Sequence, residues 1–172
     1  MNEPVHSHGV HILRHKLLLA LSLTTGMTSP ALAENWYFVG TAKEEINYAD
    51  ADSLQVNGDI DGLKVFSGSL RGVGPDVDIY YTKVNVEIDC SKHLIRWLGI
   101  EAFGDQRQYV TAPDFETDWI SFTTDDAAEY FRAFACDGAS REQQVSDPFD
   151  DADSYFYYYY DEEGAPVEPS SD

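Results

Sequence analysis

At 172 residues the chain has room for one domain with a buried core, and 43% of its residues are hydrophobic. Its 31 acidic residues against 11 basic ones give a formal charge of −20 at pH 7. A surface of that sign repels nucleic-acid phosphate and anionic lipid, which excludes those partners, and it suits solubility, cations or basic partners.

Residues 1–33 read as a secretory signal. Arg14, His15 and Lys16 form a positive start, and an apolar run opens at Leu17-Leu18-Leu19-Ala20-Leu21. The run is shorter than the roughly 20 apolar residues a spanning helix needs. Pro30 ends it, and Ala31-Leu32-Ala33 supplies small residues for cleavage, which would leave Glu34 at the mature N-terminus with no membrane span. Removal of this segment discards His6, His8, His11 and His15, so His93 is the histidine that remains. It also removes Glu3, Arg14 and Lys16, leaving the mature chain one unit more negative than the precursor.

Strand signals separated by turn residues follow. Trp36-Tyr37-Phe38-Val39 ends at Gly40, Ile46 to Asp50 comes next, and Ser53-Leu54-Gln55-Val56 closes on Asn57-Gly58, a strong hairpin dipeptide. Leu63 opens a further strand toward Arg71, and Gly72-Val73-Gly74-Pro75-Asp76 is a turn cluster. Val84, Val86, Ile88 and Cys90 alternate with Asn85, Glu87 and Asp89, which puts the cysteine on the inward face. Residues 93–103 and 106–111 read as two more strands.

The period then changes. Asp126 and Glu129 have capping-box spacing, and Ala127, Ala128, Phe131, Phe134 and Ala135 recur at helical spacing, with Cys136 at the end before Gly138. The two cysteines, Cys90 and Cys136, favour a disulfide in an oxidising compartment, and it would pin this helix to the sheet. A free catalytic thiol or a thiolate metal site fits less well, because one cysteine pair and one histidine fall short of a four-ligand zinc site.

Residues 139–172 are crowded with acids, with Arg141 as the base among them. The aromatic run Tyr155, Phe156, Tyr157, Tyr158, Tyr159 and Tyr160 lies between acidic clusters. It reads as a strand that adds to the sheet edge or packs on the domain, or as an exposed segment that captures a protein partner or a glycan.

Catalytic signals are sparse. His93 stands in Cys90-Ser91-Lys92-His93 without a nucleophile elbow. Carboxylates are so abundant that no pair stands out as glycosidase machinery. Asn57-Gly58-Asp59-Ile60-Asp61-Gly62 resembles the first half of a calcium loop, but Gly68 occupies the position of the bidentate Glu, so a hairpin turn is expected.

The core resembles the surface-adhesin protein E-like family of small exported bacterial proteins. The resemblance covers residues 36–136 and rests on Trp36, Tyr48-x-Asp50-x-x-Ser53, Cys90 closing a long strand, Trp119-Ile120-Ser121 and Cys136. It implies an antiparallel sheet with a C-terminal helix joined by a disulfide, and no enzyme activity. The family's adhesin binds host extracellular-matrix proteins, but no residue here matches a matrix-binding motif.

The expectation is therefore an α+β fold, an antiparallel β-sheet with one C-terminal helix packed on a face and disulfide-linked. A signal peptide (1–33) precedes a sheet-plus-helix domain (34–138) and an acidic Tyr-rich tail (139–172). The expected function is a non-catalytic envelope protein, periplasmic or at the cell surface, with no cofactor or metal. A carboxylate-based periplasmic hydrolase and a purely structural or stress-related protein are the alternatives.

Overall fold

The computed structural model describes residues 34–42, 44–73, 78–111, 116–123, 126–160 and 166–167, so the signal-peptide reading of residues 1–33 lies outside the described residues. The strands are β1 (Trp36–Ala42), β2 (Glu45–Asn57), β3 (Ile60–Val73), β4 (Ile79–Asp89), β5 (Leu94–Phe103), β6 (Tyr109–Thr111), β7 (Ile120–Ser121) and β8 (Gln144–Val145). They form one antiparallel sheet in the order β6-β5-β4-β3-β2-β1-β8, with β7 pairing the far end of β5. Neighbours in sequence are neighbours in space from β1 to β6, as short hairpin connections dictate.

Alternation along the central strands gives the sheet two apolar faces. Ala49, Leu63, Val65, Val84, Val86, Ile88 and Ile95 point to one face, where α1 (Ala127–Cys136) closes the core with Ala128, Phe131, Phe134 and Ala135. Ile46, Tyr48, Phe66 and Tyr81, one register over, point with Trp36 to the other face. A second helix, α2 (Pro148–Tyr159), covers that aromatic face with Ala152, Phe149, Tyr155 and Phe156. Each fully buried Phe or Leu-sized side chain contributes roughly 1.5–3 kcal/mol, so either face left bare would unbalance a domain of ordinary stability.

The expected single helix on one face is corrected by this second one. Among the described residues the fold is mainly β, with eight strands and two helices, and the helices lie on opposite faces. The aromatic run is neither a strand nor an extension of an edge. Tyr and Phe favour strands in general, but Pro148/Phe149, Ala152 and Tyr155/Phe156 recur at three and four residues, which puts them on one side of a helix. Asp147 caps the start by accepting from the Phe149 N–H at 2.8 Å, and Pro148 occupies the first turn, where its missing N–H costs nothing.

Local chemistry explains several features of the sequence. Within Tyr48-x-Asp50-x-x-Ser53, the Asp50 carboxylate accepts from the backbone N–H of Asn35 (2.8 Å) and Asp52 (3.2 Å). The Ser53 hydroxyl donates to the Asp50 carbonyl and accepts from the Lys64 N–H, both at 2.7 Å. These bonds stand in for ladder bonds where the β2–β3 register breaks between Asp50 and Gln55. Asn57-Gly58-Asp59 is the turn of the β2–β3 hairpin, with Gly58 at φ +70°.

The disulfide joins Cys90, just past β4, to Cys136 at the end of α1. At the other side of α1, the Tyr130 ring lies on Gly40, where a Cβ would come within 2.9 Å of it, and the Tyr130 hydroxyl donates to the Thr41 carbonyl at 2.9 Å. Asp126 does not close a capping box; its carboxylate accepts from the N–H and hydroxyl of Thr123.

Candidate functional site

The most unusual chemistry of the chain is concentrated on α2, and the sheet holds that helix by polar as well as apolar contacts. Phe149 lies between the rings of Phe66, Tyr81 and Phe103, with centroids 4.7, 5.1 and 5.3 Å away. Around this aromatic centre three carboxylates of α2 are held by the sheet side. The Tyr48 hydroxyl donates to Asp151 at 2.8 Å, and the Tyr81 hydroxyl donates to Asp153. Arg107, in the β5–β6 turn, reaches both Asp150 and Asp153 at 2.6 Å and lies 5.7 Å over the Phe149 ring. Burial first, and then the facing carboxylates, push the Tyr48 and Tyr81 hydroxyls well above the usual phenol range, so both stay protonated donors.

Fixing one side of α2 in this way displays the other. Tyr155, Phe156 and Tyr160 form a half-buried inner row, with Tyr155 5.5 Å from Phe156 and 6.2 Å from Tyr160. Tyr157, Tyr158 and Tyr159 are 80%, 71% and 58% exposed. Tyr157 and Tyr158 meet edge to face at 5.4 Å, and Tyr159 leans on Tyr155 at 4.9 Å. Val167, half exposed, extends the apolar surface, and its N–H donates to the Tyr159 carbonyl at 2.9 Å. Of the six aromatics that the sequence singles out, three are therefore anchors and three form a solvent-facing platform.

Two clefts flank the start of α2. One, of about 340 Å³, runs between the 143–147 segment and the helix and carries Asp147, Asp150, Asp151 and Ser154. Each of its carboxylates has a structural role: Asp147 caps the helix, Asp150 pairs with Arg107 and Asp151 accepts from Tyr48. The other, of about 300 Å³, is lined by Glu34, Trp36, Lys83 and Phe149 among others. There Glu34 bridges Lys64 (3.2 Å) and Lys83 (2.7 Å) and accepts from the Trp36 indole N–H at 3.1 Å. Burial opposes the Glu34 charge, but the Lys83 and Lys64 bonds outweigh it and hold the carboxyl below its ordinary range.

His93 is exposed, sits in the β4–β5 turn at φ +56° and stacks on Phe122 at 6.0 Å. Its neighbour in sequence Cys90 is bonded to Cys136, as expected from the two cysteines. Sequence reasoning missed Tyr48, Tyr81 and Arg107 as the anchors of the tail. The helical spacing from Phe149 to Tyr159 was the available signal for the helix. Nothing local, however, points to which strand residues face it.

The fold and site together define an antiparallel, mainly β domain with a helix on each sheet face and an exposed tyrosine platform. No protein-family model and no curated protein match the chain. Among solved structures it is similar to crystal form II of Haemophilus influenzae protein E, with 14% identity, 54% of this chain and 80% of that chain covered, and a TM-score of 0.43.

Proposed function

We propose that this protein is an exported, non-catalytic binding module of the cell envelope, and that its platform takes a protein partner with an arginine- or lysine-rich surface. The observation that carries this reading is the display of Tyr157, Tyr158 and Tyr159 on a helix whose opposite side is pinned to the sheet. Large exposed aromatics cost solubility, and an acidic exported protein has no structural need for three of them side by side. Tyrosine supplies broad contact area at low entropic cost, and its ring face attracts cations. The formal charge of −20 and the acids on either side of the run complement a basic surface. The signal-like residues 1–33 and the Cys90–Cys136 disulfide support export. The use of Asp147, Asp150 and Asp151 in holding α2 supports a non-catalytic role.

The test compares oligo-arginine and oligo-lysine peptides of equal length for binding to the full chain and to the variant Tyr157→Ser/Tyr158→Ser. Charge alone would bind both peptides alike, whereas stacking on tyrosine favours arginine. The expected result is arginine-selective binding that the variant loses while a weaker, salt-sensitive attraction persists. Equal binding by chain and variant, or binding of neutral glycans in preference to either peptide, would overturn the reading.

A further inference from the structure

Beneath the Cys90–Cys136 bridge lies a carboxylate that neither the fold nor the proposed platform uses. Asp61, from the hairpin stretch with calcium-like spacing, is 5% exposed and pairs across the ladder with Ile88, which points it to the α1 face. Its Oδ2 is 3.5 Å from the Cys90 Sγ, and among the described residues no lysine, arginine or histidine forms an ion pair with it. One oxygen of Asp61 and the two sulfurs lie within 4.8 Å of one another. An isolated carboxylate in such a place is costly to bury, and burial raises its pKa accordingly.

We infer that, once the Cys90–Cys136 disulfide is reduced, Asp61, Cys90 and Cys136 form a thiolate-rich site for a thiophilic divalent cation of the zinc type. Geometry supports the ligand set. Zn–S bonds of about 2.3 Å and Zn–O bonds of about 2.0 Å place S and O roughly 3.5 Å apart on a tetrahedron, the separation already present between Cys90 and Asp61. The two sulfurs need to part to about 3.8 Å, with their Cα atoms 5.8 Å apart. The scaffold is stiff, since the Cys90 N–H donates to the Asp59 carbonyl at 3.1 Å and ties the turn to the hairpin that carries Asp61. Three protein ligands leave a fourth position for solvent, which makes the site an exchangeable one.

A dithiol reductant transfers two electrons to the disulfide and leaves as its own disulfide, and the Cys90–Cys136 bond becomes two thiols. The cation then displaces one proton from each thiol to form two metal–thiolate bonds. A disulfide oxidant reverses both events by thiol–disulfide exchange, taking the two electrons and leaving as its own dithiol while the metal is released, so the site would report thiol–disulfide poise.

Co(II) is the probe, added to the full-length chain after reduction by a phosphine without oxygen. The readout is the sulfur-to-Co(II) charge-transfer band, which imidazole coordination by His6, His8, His11 or His15 does not produce. One equivalent should bind to the reduced chain and none should give the band in the oxidised chain. Asp61→Asn should weaken Co(II) binding by about tenfold or more, Cys136→Ser should weaken both binding and band, and the double variant Cys90→Ser/Cys136→Ser should abolish the band. Should reduction unfold the chain, Co(II) should restore its circular dichroism. A reduced chain that neither gives the band nor refolds with Co(II) would overturn the inference, as would an Asp61→Asn variant that binds as tightly as the parent.

Discussion

Ala152 of α2 stands directly on Gly68 of β3, so close that a Cβ built on Gly68 would lie 3.0 Å from the Ala152 Cβ. Ala152 is itself fully buried. This pair of small residues sets the distance between the second helix and the sheet. The large rings around it, Phe66, Tyr81 and Phe149, then fill the space on either side.

Gly68→Val should therefore lift α2 and cost about 1–3 kcal/mol, the usual range for overpacking a closed contact. Chemical denaturation measures the loss, and near-ultraviolet circular dichroism should show weakened tyrosine signals. Deleting residues 139–172 removes the whole cover and should abolish cooperative melting, because Phe66, Tyr48 and Tyr81 would face water.

Alkaline pH should release the same helix. The Tyr48 and Tyr81 hydroxyls have folded-state pKa values above the unfolded value of about 10, so the fold binds their protons more tightly than the unfolded chain does. Their contribution is complete below pH about 10 and declines as pH rises above it. Tyr48→Phe should cost about 1–3 kcal/mol at neutral pH by leaving Asp151 without its donor, and should flatten the alkaline decline. Phenolate absorbance and denaturation midpoints against pH check both points.

Acid should act elsewhere. Asp89 accepts from the N–H groups of Ser91 and Lys92, the Ser91 hydroxyl and the Lys92 ammonium, and these bonds, the ammonium foremost, lower its pKa to about 2. A depressed carboxylate stabilises above its unfolded pKa of about 4, and its contribution fades as pH falls toward 2. Asp89→Asn should be less stable than the parent at neutral pH, and the two denaturation curves should converge near pH 2.

The disulfide closes a separation of 46 residues, and reduction should cost about 3–4 kcal/mol on the loop-entropy estimate. Thiol labelling of the unfolded, unreduced chain should find no reactive cysteine, and two after reduction.

Much of the α1 side was legible in the sequence. The alternation of Val84, Val86, Ile88 and Cys90 and the helical stripe of Ala128, Phe131 and Phe134 are local periods, and the structure joins them as those periods imply. The aromatic face was harder to see. Tyr48, Phe66 and Tyr81 each read as ordinary strand aromatics, and their shared direction appears only when register pairs Tyr48 with Phe66 and aligns Tyr81 beside them. The run from Tyr155 to Tyr160 misled through its strand propensity, although Asp147-Pro148 and the spacing from Phe149 onward mark a helix start.

By itself the sequence determined the acidic charge, the cysteine pair, the strand periods from Trp36 to Thr111 and the helix at Ala127–Cys136, because each is a matter of composition or of a period a few residues long, although residues 46–50 and 53–56, which read as two strands, are one strand in the fold. The tertiary structure alone decided that a second helix closes the opposite face, that Asp150, Asp151 and Asp153 hold it while Tyr157 to Tyr159 remain in water, and that Asp61 lies against the disulfide. Those relationships join residues tens of positions apart, where sheet register and the depth of a Gly68–Ala152 contact, rather than any local preference, determine which side chains meet.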